Sequence, residues 1–182
     1  MLVVRACEEG DVEALERDLP TGAARIHAAH WRASRSGGST YLIAWADDVA
    51  RGVAVVNWEG PVGSEAAQAF PGVPEITHLQ VTASARGQGV GTWLIRTAEA
   101  MAETAGLGSI AIGVSVDNMA ARRLYERLGY RPTGVIEVSH YVYIDTGGRS
   151  QPMSETNTLL VKPLAGDRHP PTQGPPGVAR PG

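Results

Sequence analysis

The sequence predicts a mixed α/β (α+β) domain built on a mostly antiparallel central sheet flanked by helices. Three observations point there. Two runs rich in Val, Ile, Tyr and Trp, residues 40–46 and 52–59, are separated by Asp47-Asp48 and read as a hairpin. A strand-like run at 75–82 passes through a glycine-rich turn into a helix whose apolar residues Val90, Leu94, Ala98 and Met101 recur at helical spacing. Two further strand-like runs, 133–144 and 155–162, close the ordered part of the chain.

The remaining elements follow in order. Residues 2–5 read as a short strand. Asp11 is placed to cap a helix reaching about Asp18, with Val12 and Leu15 inward and Pro20 ending it. Residues 23–34 read as a second helix, and Ser36-Gly37-Gly38-Ser39 as a loop. Residues 60–74 hold three prolines and three glycines and read as loop throughout. The helix after the glycine-rich turn spans 89–105, and 109–115 alternates as a strand. Asn118 starts a helix that Gly129 ends. The polar segment 145–154 joins the last two strands, and the Pro/Gly-rich stretch from 165 to 182 reads as a disordered tail on a domain of residues 1–164.

Composition narrows the function classes. The 182 residues suit one domain with a substantial core, and 43% hydrophobic against 19% charged residues is ordinary for a soluble globular protein. A net charge of −3 argues against a nucleic-acid surface, because phosphate-backbone binders are basic. No apolar run approaches the ~20 residues that cross a bilayer, and the start Met1-Leu2-Val3-Val4-Arg5 lacks a signal-peptide pattern. The single cysteine, Cys7, cannot make an internal disulfide. A cytoplasmic location is expected, with no nucleic-acid or membrane partner and no metal.

The densest information lies in Arg86-Gly87-Gln88-Gly89-Val90-Gly91. At a strand-to-helix junction the first backbone amides of the helix have no internal partner. With the helix dipole they form an anion site, and glycine lets a ligand approach the backbone. A dinucleotide loop of the Gly-x-Gly-x-x-Gly type is not matched: the third position is Thr92 counted from Gly87 and Leu94 counted from Gly89. A P-loop is not matched either, since Gly91 is followed by Thr92-Trp93 and not by Lys-Ser/Thr.

Three motifs in order carry a family resemblance over roughly residues 2–162. They are Leu79-Gln80-Val81-Thr82 followed by the glycine loop, Asn118-Met119-Ala120-Ala121-Arg122-Arg123-Leu124-Tyr125, and Leu128-Gly129-Tyr130. Together they resemble the cofactor strand and Arg/Gln-x-x-Gly-x-Gly/Ala loop, the Asn-x-x-Ala-x-x-Leu-Tyr helix and the following Gly-Phe/Tyr of the GNAT superfamily of acetyl-CoA-dependent N-acetyltransferases. The resemblance implies a GNAT-like sheet with a splayed cofactor strand. It implies acetyl-CoA as co-substrate, with Val81, Arg86, Gly87, Gln88, Gly89, Val90, Gly91, Thr92, Asn118 and Tyr125 holding it. At Arg86 the backbone amide matters more than the side chain. The Val81 amide would polarise the thioester carbonyl, an oxyanion-type contact.

The same resemblance gives catalytic roles to Tyr125 and Glu75. Tyr125 would stand beside the coenzyme A sulfur as acid to the departing thiolate. A phenol near about 10 is a poor acid toward a thiolate near about 8.5, so hydrogen bonding is the larger part of that role. Asn118 serves equally well as helix N-cap or cofactor contact. Glu75, six residues before Val81, is the candidate base, on the same face as Val81 if the strand has no bulge. His78, on the opposite face of a regular strand, and a water relay are the alternatives. His27, His30, Trp31 and Arg35 near the second helix, and Tyr141 and Tyr143 on the late strand, read as packing or as the acceptor side. The expected activity is acetyl transfer to a primary amine, a small molecule or a peptide N-terminus, by direct attack. A catalytically silent acyl-CoA sensor is the second reading, and dimerisation is left open.

Overall fold

The computed structural model describes residues 1–144 and 150–165. The expected tail beyond them, the joining segment 145–149, and the side chains of Tyr141 and Tyr143 lie outside the described residues. Twelve elements follow one another: β1 (Leu2–Ala6), α1 (Asp11–Asp18), α2 (Ile26–Ser34), β2 (Ser39–Ala46), β3 (Val49–Asn57), α3 (Ser64–Ala69), β4 (Glu75–Val81), α4 (Val90–Thr104), β5 (Ser109–Ser115), α5 (Met119–Arg127), β6 (Arg131–Ile144) and β7 (Ser150–Pro163). The strands form one seven-stranded sheet in the order β1-β2-β3-β4-β5-β7-β6. Every neighbouring pair is antiparallel except β4–β5. This is the mixed, mostly antiparallel sheet that the sequence predicts.

Helices cover both faces. On one face Val90, Leu94, Ile95 and Ala98 of α4 and Tyr125 of α5 pack with Leu42, Val56, Ile76 and Ile112 into the main core. On the other, Leu15 and Leu19 pack on Tyr41, Ile43, Val53 and Val55. A smaller cluster of Ala66, Ala111 and Leu159 lies under α3. The β2–β3 hairpin turns at Asp47 and Asp48, both with left-handed φ (52° and 59°), as a tight two-residue turn on a right-twisted ribbon requires.

Several local expectations are corrected. Asp11 is the first helical residue, not the cap; its carboxylate accepts the Glu8 amide at 2.7 Å and two bonds from Arg5 at 2.6 and 2.7 Å. The second helix is interrupted: a 3-10 turn at Gly22–Ala24 ends on Arg25, whose φ of 40° breaks it from α2. β3 begins at Val49, earlier than expected, because the hairpin turn is so short. β7 likewise begins at Ser150, five residues before its expected start, so that β6 and β7 form a long hairpin.

The 60–74 stretch is not all loop, since it contains α3. That helix has no local side-chain cap. Glu137 of β6, remote in sequence, accepts the amides of Glu65 and Ala66 at 3.0 and 3.3 Å and fills the capping role.

Candidate active site

The site is built where β4 and β5 part. They pair at only two positions, Glu75↔Ala111 and Ile76↔Ile112, and then diverge, so the rest of β4 has β3 alone as neighbour. The orientation of Val81 follows from its register with β3. Val81 lies opposite Gly52, and the Thr82 amide donates to Arg51 O at 2.9 Å. This makes Gly52↔Val81 a non-hydrogen-bonded pair, with the Val81 N–H directed away from β3 into the gap. The expected splay and the amide within it are both present.

Beyond Val81 the chain makes a 3-10 turn at Ala83–Ala85 and enters α4. Gly87 and Gly89 have φ of 74° and 84°, a region costly for residues with a Cβ. Among the described residues the amides of Gly87, Gly89, Val90, Gly91 and Thr92 donate to no protein acceptor. They line the start of a 15-residue helix, a ready anion site. Arg86 and Gln88 differ from the expectation. Their amides close turns onto Ala83 O and Ala85 O, each at 3.4 Å, and are not free. The Arg86 side chain folds back, Nε donating to Val81 O at 3.4 Å, and Gln88 Nε2 donates to Ser84 O at 2.7 Å.

A cleft of about 960 Å³ runs through the parted strands, and Glu75, His78, Asn118 and Tyr125 all line it. Asn118 caps α5, its Oδ1 accepting the Ala121 amide at 3.1 Å, while it also faces the cleft. Tyr125 is 6% exposed, and burial pushes its phenol up to about 12. At that value it stays protonated and serves as a hydrogen-bond donor far better than as a proton source.

Glu75 is not the surface carboxylate that its place beside Pro74 would allow. It is 7% exposed, and its Oε2 accepts the Val62 amide at 2.9 Å. Burial raises its pKa; the Val62 hydrogen bond opposes this, and nearby Glu137 adds to it.

The shared face of Glu75 and Val81 is overturned by a bulge. Val53 pairs with Gln80 and Val55 with Thr77, so His78 and Leu79 together face Ala54, with His78 at φ 49°. One extra residue reverses the alternation. Val81 and Leu79 pack toward the α4 core, whereas Glu75 lies on the α3 side with Thr77. His78 shares the side of Glu75, contrary to the regular-strand expectation, its ring 4.4 Å from that of His30 on α2. Because the strands part, Glu75 from one face and Tyr125 from the other still line one cleft.

The α2 residues divide. His27 is a core residue, 1% exposed, its ring within 2.6 Å of both Tyr41 Oη and Leu19 O. Burial lowers the imidazole of His30 to about 4, with His78 and His27 adding to the effect. His78 is lowered too, by desolvation, though its exposure to solvent limits this. Trp31 stacks under Arg35 at 5.4 Å. Sequence reasoning missed Glu137, Glu155 and Asn157, which line the cleft from β6 and β7. No local motif marks them, since only strand pairing brings them in. No helix among the described residues is long and apolar enough to cross a membrane.

A mostly antiparallel sheet with parted central strands and free amides at the head of α4 is an acetyltransferase fold; the cleft is lined along β4 as far as Leu79 and by none of residues 81–92. Comparison with known proteins agrees. The family model described as "Acetyltransferase (GNAT) family" matches residues 6–130. The chain belongs to the GNAT acetyltransferase family.

N-acetyltransferase family 8 member 7 of Mus musculus is 29% identical over 93 residues, 51% of this chain and 39% of that protein, so the match spans well under two thirds of that relative. Solved structures share the fold. An N-acetyltransferase from Staphylococcus aureus Mu50 gives a TM-score of 0.64 at 15% identity, covering 90% of this chain and 99% of that one. The ribosomal-protein-S18-alanine N-acetyltransferase of Escherichia coli gives 0.61 at 18%, covering 92% and 98%. The structure of yncA from Salmonella typhimurium with its cofactor acetyl-CoA gives 0.63 at 16%, covering 95% and 99%.

Proposed function

We propose that this protein is an N-acetyltransferase that moves the acetyl group of acetyl-CoA directly to a primary amine, of a small molecule or a peptide N-terminus. The observation that carries the reading is the conjunction of free amides at the head of α4 with the gap between β4 and β5. The Gly87, Gly89, Val90, Gly91 and Thr92 amides suit a diphosphate, at about 1.5–3 kcal/mol for each charge-assisted bond. The Val81 N–H, turned into the gap, suits the thioester carbonyl and the oxyanion it becomes.

The neutral amine attacks the thioester carbonyl, and Glu75 takes the nitrogen's proton, directly or through water, as the new C–N bond forms. Its raised pKa makes it a stronger base than an exposed glutamate. Tyr125 donates a hydrogen bond to the sulfur as the C–S bond breaks. Holding both reactants in one cleft supplies much of the rate.

Isothermal titration with acetyl-CoA tests the reading. Binding with release of free thiol on adding an amine is expected; no measurable binding of acetyl-CoA overturns it.

A further inference from the structure

The segment from Val62 to Ala66 forms part of the cleft wall, with Val62, Gly63, Ser64 and Ala66 among its lining. It is held at two points, each by a carboxylate. Glu75 Oε2 accepts the Val62 amide at 2.9 Å. Glu137 Oε2 accepts the amides of Glu65 and Ala66 at 3.0 and 3.3 Å, and the Ser64 hydroxyl lies 3.5 Å from Glu137 Oε1.

Gly63 shows independently how closely Glu137 fits the segment. Its backbone is extended, φ −75° and ψ 143°, a conformation open to any residue. A Cβ there would stand 2.5 Å from the Glu137 carboxyl carbon. Glycine at 63 is required by the carboxylate and not by the turn. Local sequence supplies no other hold. α3 has six residues and no side-chain cap of its own, too short to stand by propensity. Its anchors are the Glu137 carboxylate and Ala66, packed with Ala111, the β5 partner of Glu75. Val62 is 72% exposed, so its side chain contributes little to fixing the amide that meets Glu75.

We infer that Glu137 is a positioning residue for Glu75. Glu137 fixes the head of α3, α3 fixes the two residues before it, and the Val62 amide fixes one oxygen of Glu75, leaving the other for the acceptor nitrogen. This rests on the acetyltransferase reading, in which Glu75 is the base, and adds how that base is held. Of the ionisable groups lining the cleft (Glu137, Glu155, His78 and Tyr125), Glu137 is the one whose charge acts on Glu75. Burial raises the Glu75 pKa, the Val62 bond opposes this, and the Glu137 charge adds to it. Loss of Glu137 therefore hydrates Glu75, removes a negative neighbour and lowers that pKa.

Three variants test the hold. Glu137→Ala removes the cap, Glu137→Gln keeps its shape and one acceptor oxygen, and Gly63→Ala pushes the carboxylate away with every charge retained. Thiol release from acetyl-CoA with butylamine as acceptor gives kcat. In Glu137→Ala and Gly63→Ala it is expected to fall about tenfold at unchanged acetyl-CoA affinity, as a small misplacement of a reacting group allows, and Glu137→Gln recovers most of it. Amide hydrogen exchange at Val62 quickens about tenfold or more in the first two variants, while amides of the β2–β3 ladder keep their protection and show that the fold is intact. The side-chain carboxyl NMR resonance of Glu75, identified by its loss in Glu75→Gln, titrates at lower pH in Glu137→Ala than in the parent.

Parental Val62 exchange and an unmoved Glu75 titration overturn the positioning role and leave Glu137 a cap of α3 alone. A lowered melting midpoint with parental kcat does the same. If Glu137→Ala fails to fold, Gly63→Ala carries the exchange and kcat tests. The two NMR readings need no turnover, so they decide the hold even where butylamine is not taken, or where the parent binds no acetyl-CoA and the acetyltransferase reading itself fails.

Discussion

Replacing Tyr125 with phenylalanine removes one oxygen from a nearly closed environment. The residue is 6% exposed, and its hydroxyl makes no hydrogen bond among the described residues. No protein partner is therefore left unsatisfied by the change, and the melting midpoint should stay close to that of the parent. The effect on turnover depends on what the hydroxyl does during reaction. With burial holding the phenol at about 12, full proton transfer to a thiolate near about 8.5 is uphill by about 5 kcal/mol. A hydrogen bond to the charged sulfur has no such cost and contributes about 1.5–3 kcal/mol. Losing it lowers kcat about 10- to 150-fold at saturating acetyl-CoA, with little change in the affinity for acetyl-CoA. Thiol release under steady state gives kcat, calorimetry gives affinity, and a thermal melt controls for folding. A kcat within about twofold of the parent, with the fold intact, refutes the placement of this hydroxyl at the sulfur.

Four further outcomes follow from the same geometry. Glu75 acts as a base only when ionised, and its pKa is raised, so the rate should fall as pH drops through that raised value; Glu75→Gln should lack this limb, and an identical pH–rate profile removes Glu75 from the base role. The same shift costs stability as pH rises from the ordinary value of 4.5 through the folded one, a decline that melts of Glu75→Gln across pH should not show. In Gly52→Ala the new Cβ would sit 2.7 Å from the Gln80 carbonyl oxygen and 3.2 Å from Leu94 and Val90, so β3 and β4 must separate beside Val81. Denaturant titration should show a loss of about 1–3 kcal/mol together with weaker acetyl-CoA binding, and parental values for both contradict the close approach. Asp11→Asn breaks the two-bond pair with Arg5 and should cost about 1 kcal/mol, the low end because the Arg5 side chain is 41% exposed. The Asp11 pKa is lowered, so this stability is present above the ordinary aspartate value and is lost as pH falls through the lowered one; a stability curve flat in acid, alike in both proteins, opposes it.

Local pattern was enough to determine the strands and helices that bury a periodic face, and the turn that joins β4 to α4. The hydrophobic stripe of α4 and the alternation of β5 come from spacing alone, and both elements stand within one residue of where they are expected. Gly87 and Gly89 mark the turn because positive φ is a property of the residue as much as of the fold. The Asn118 cap is local in the same way, a side chain meeting an amide three residues on.

Features set by distant partners could be decided only by the tertiary structure. Helix α3 is six residues long and depends on the Glu137 carboxylate at its amides, a contact across 71 and 72 residues. The bulge at His78 arises in the pairing of β4 with β3, and it alone reverses the sides of Glu75 and Val81. The charge of the cleft has the same origin, since β4, β6 and β7 each bring one carboxylate that looks like a strand-surface residue by itself. Periodicity acts over a few residues and is written in the chain. Register, burial and the field of several charges depend on which strands become neighbours, and that is settled only when the sheet closes on its core.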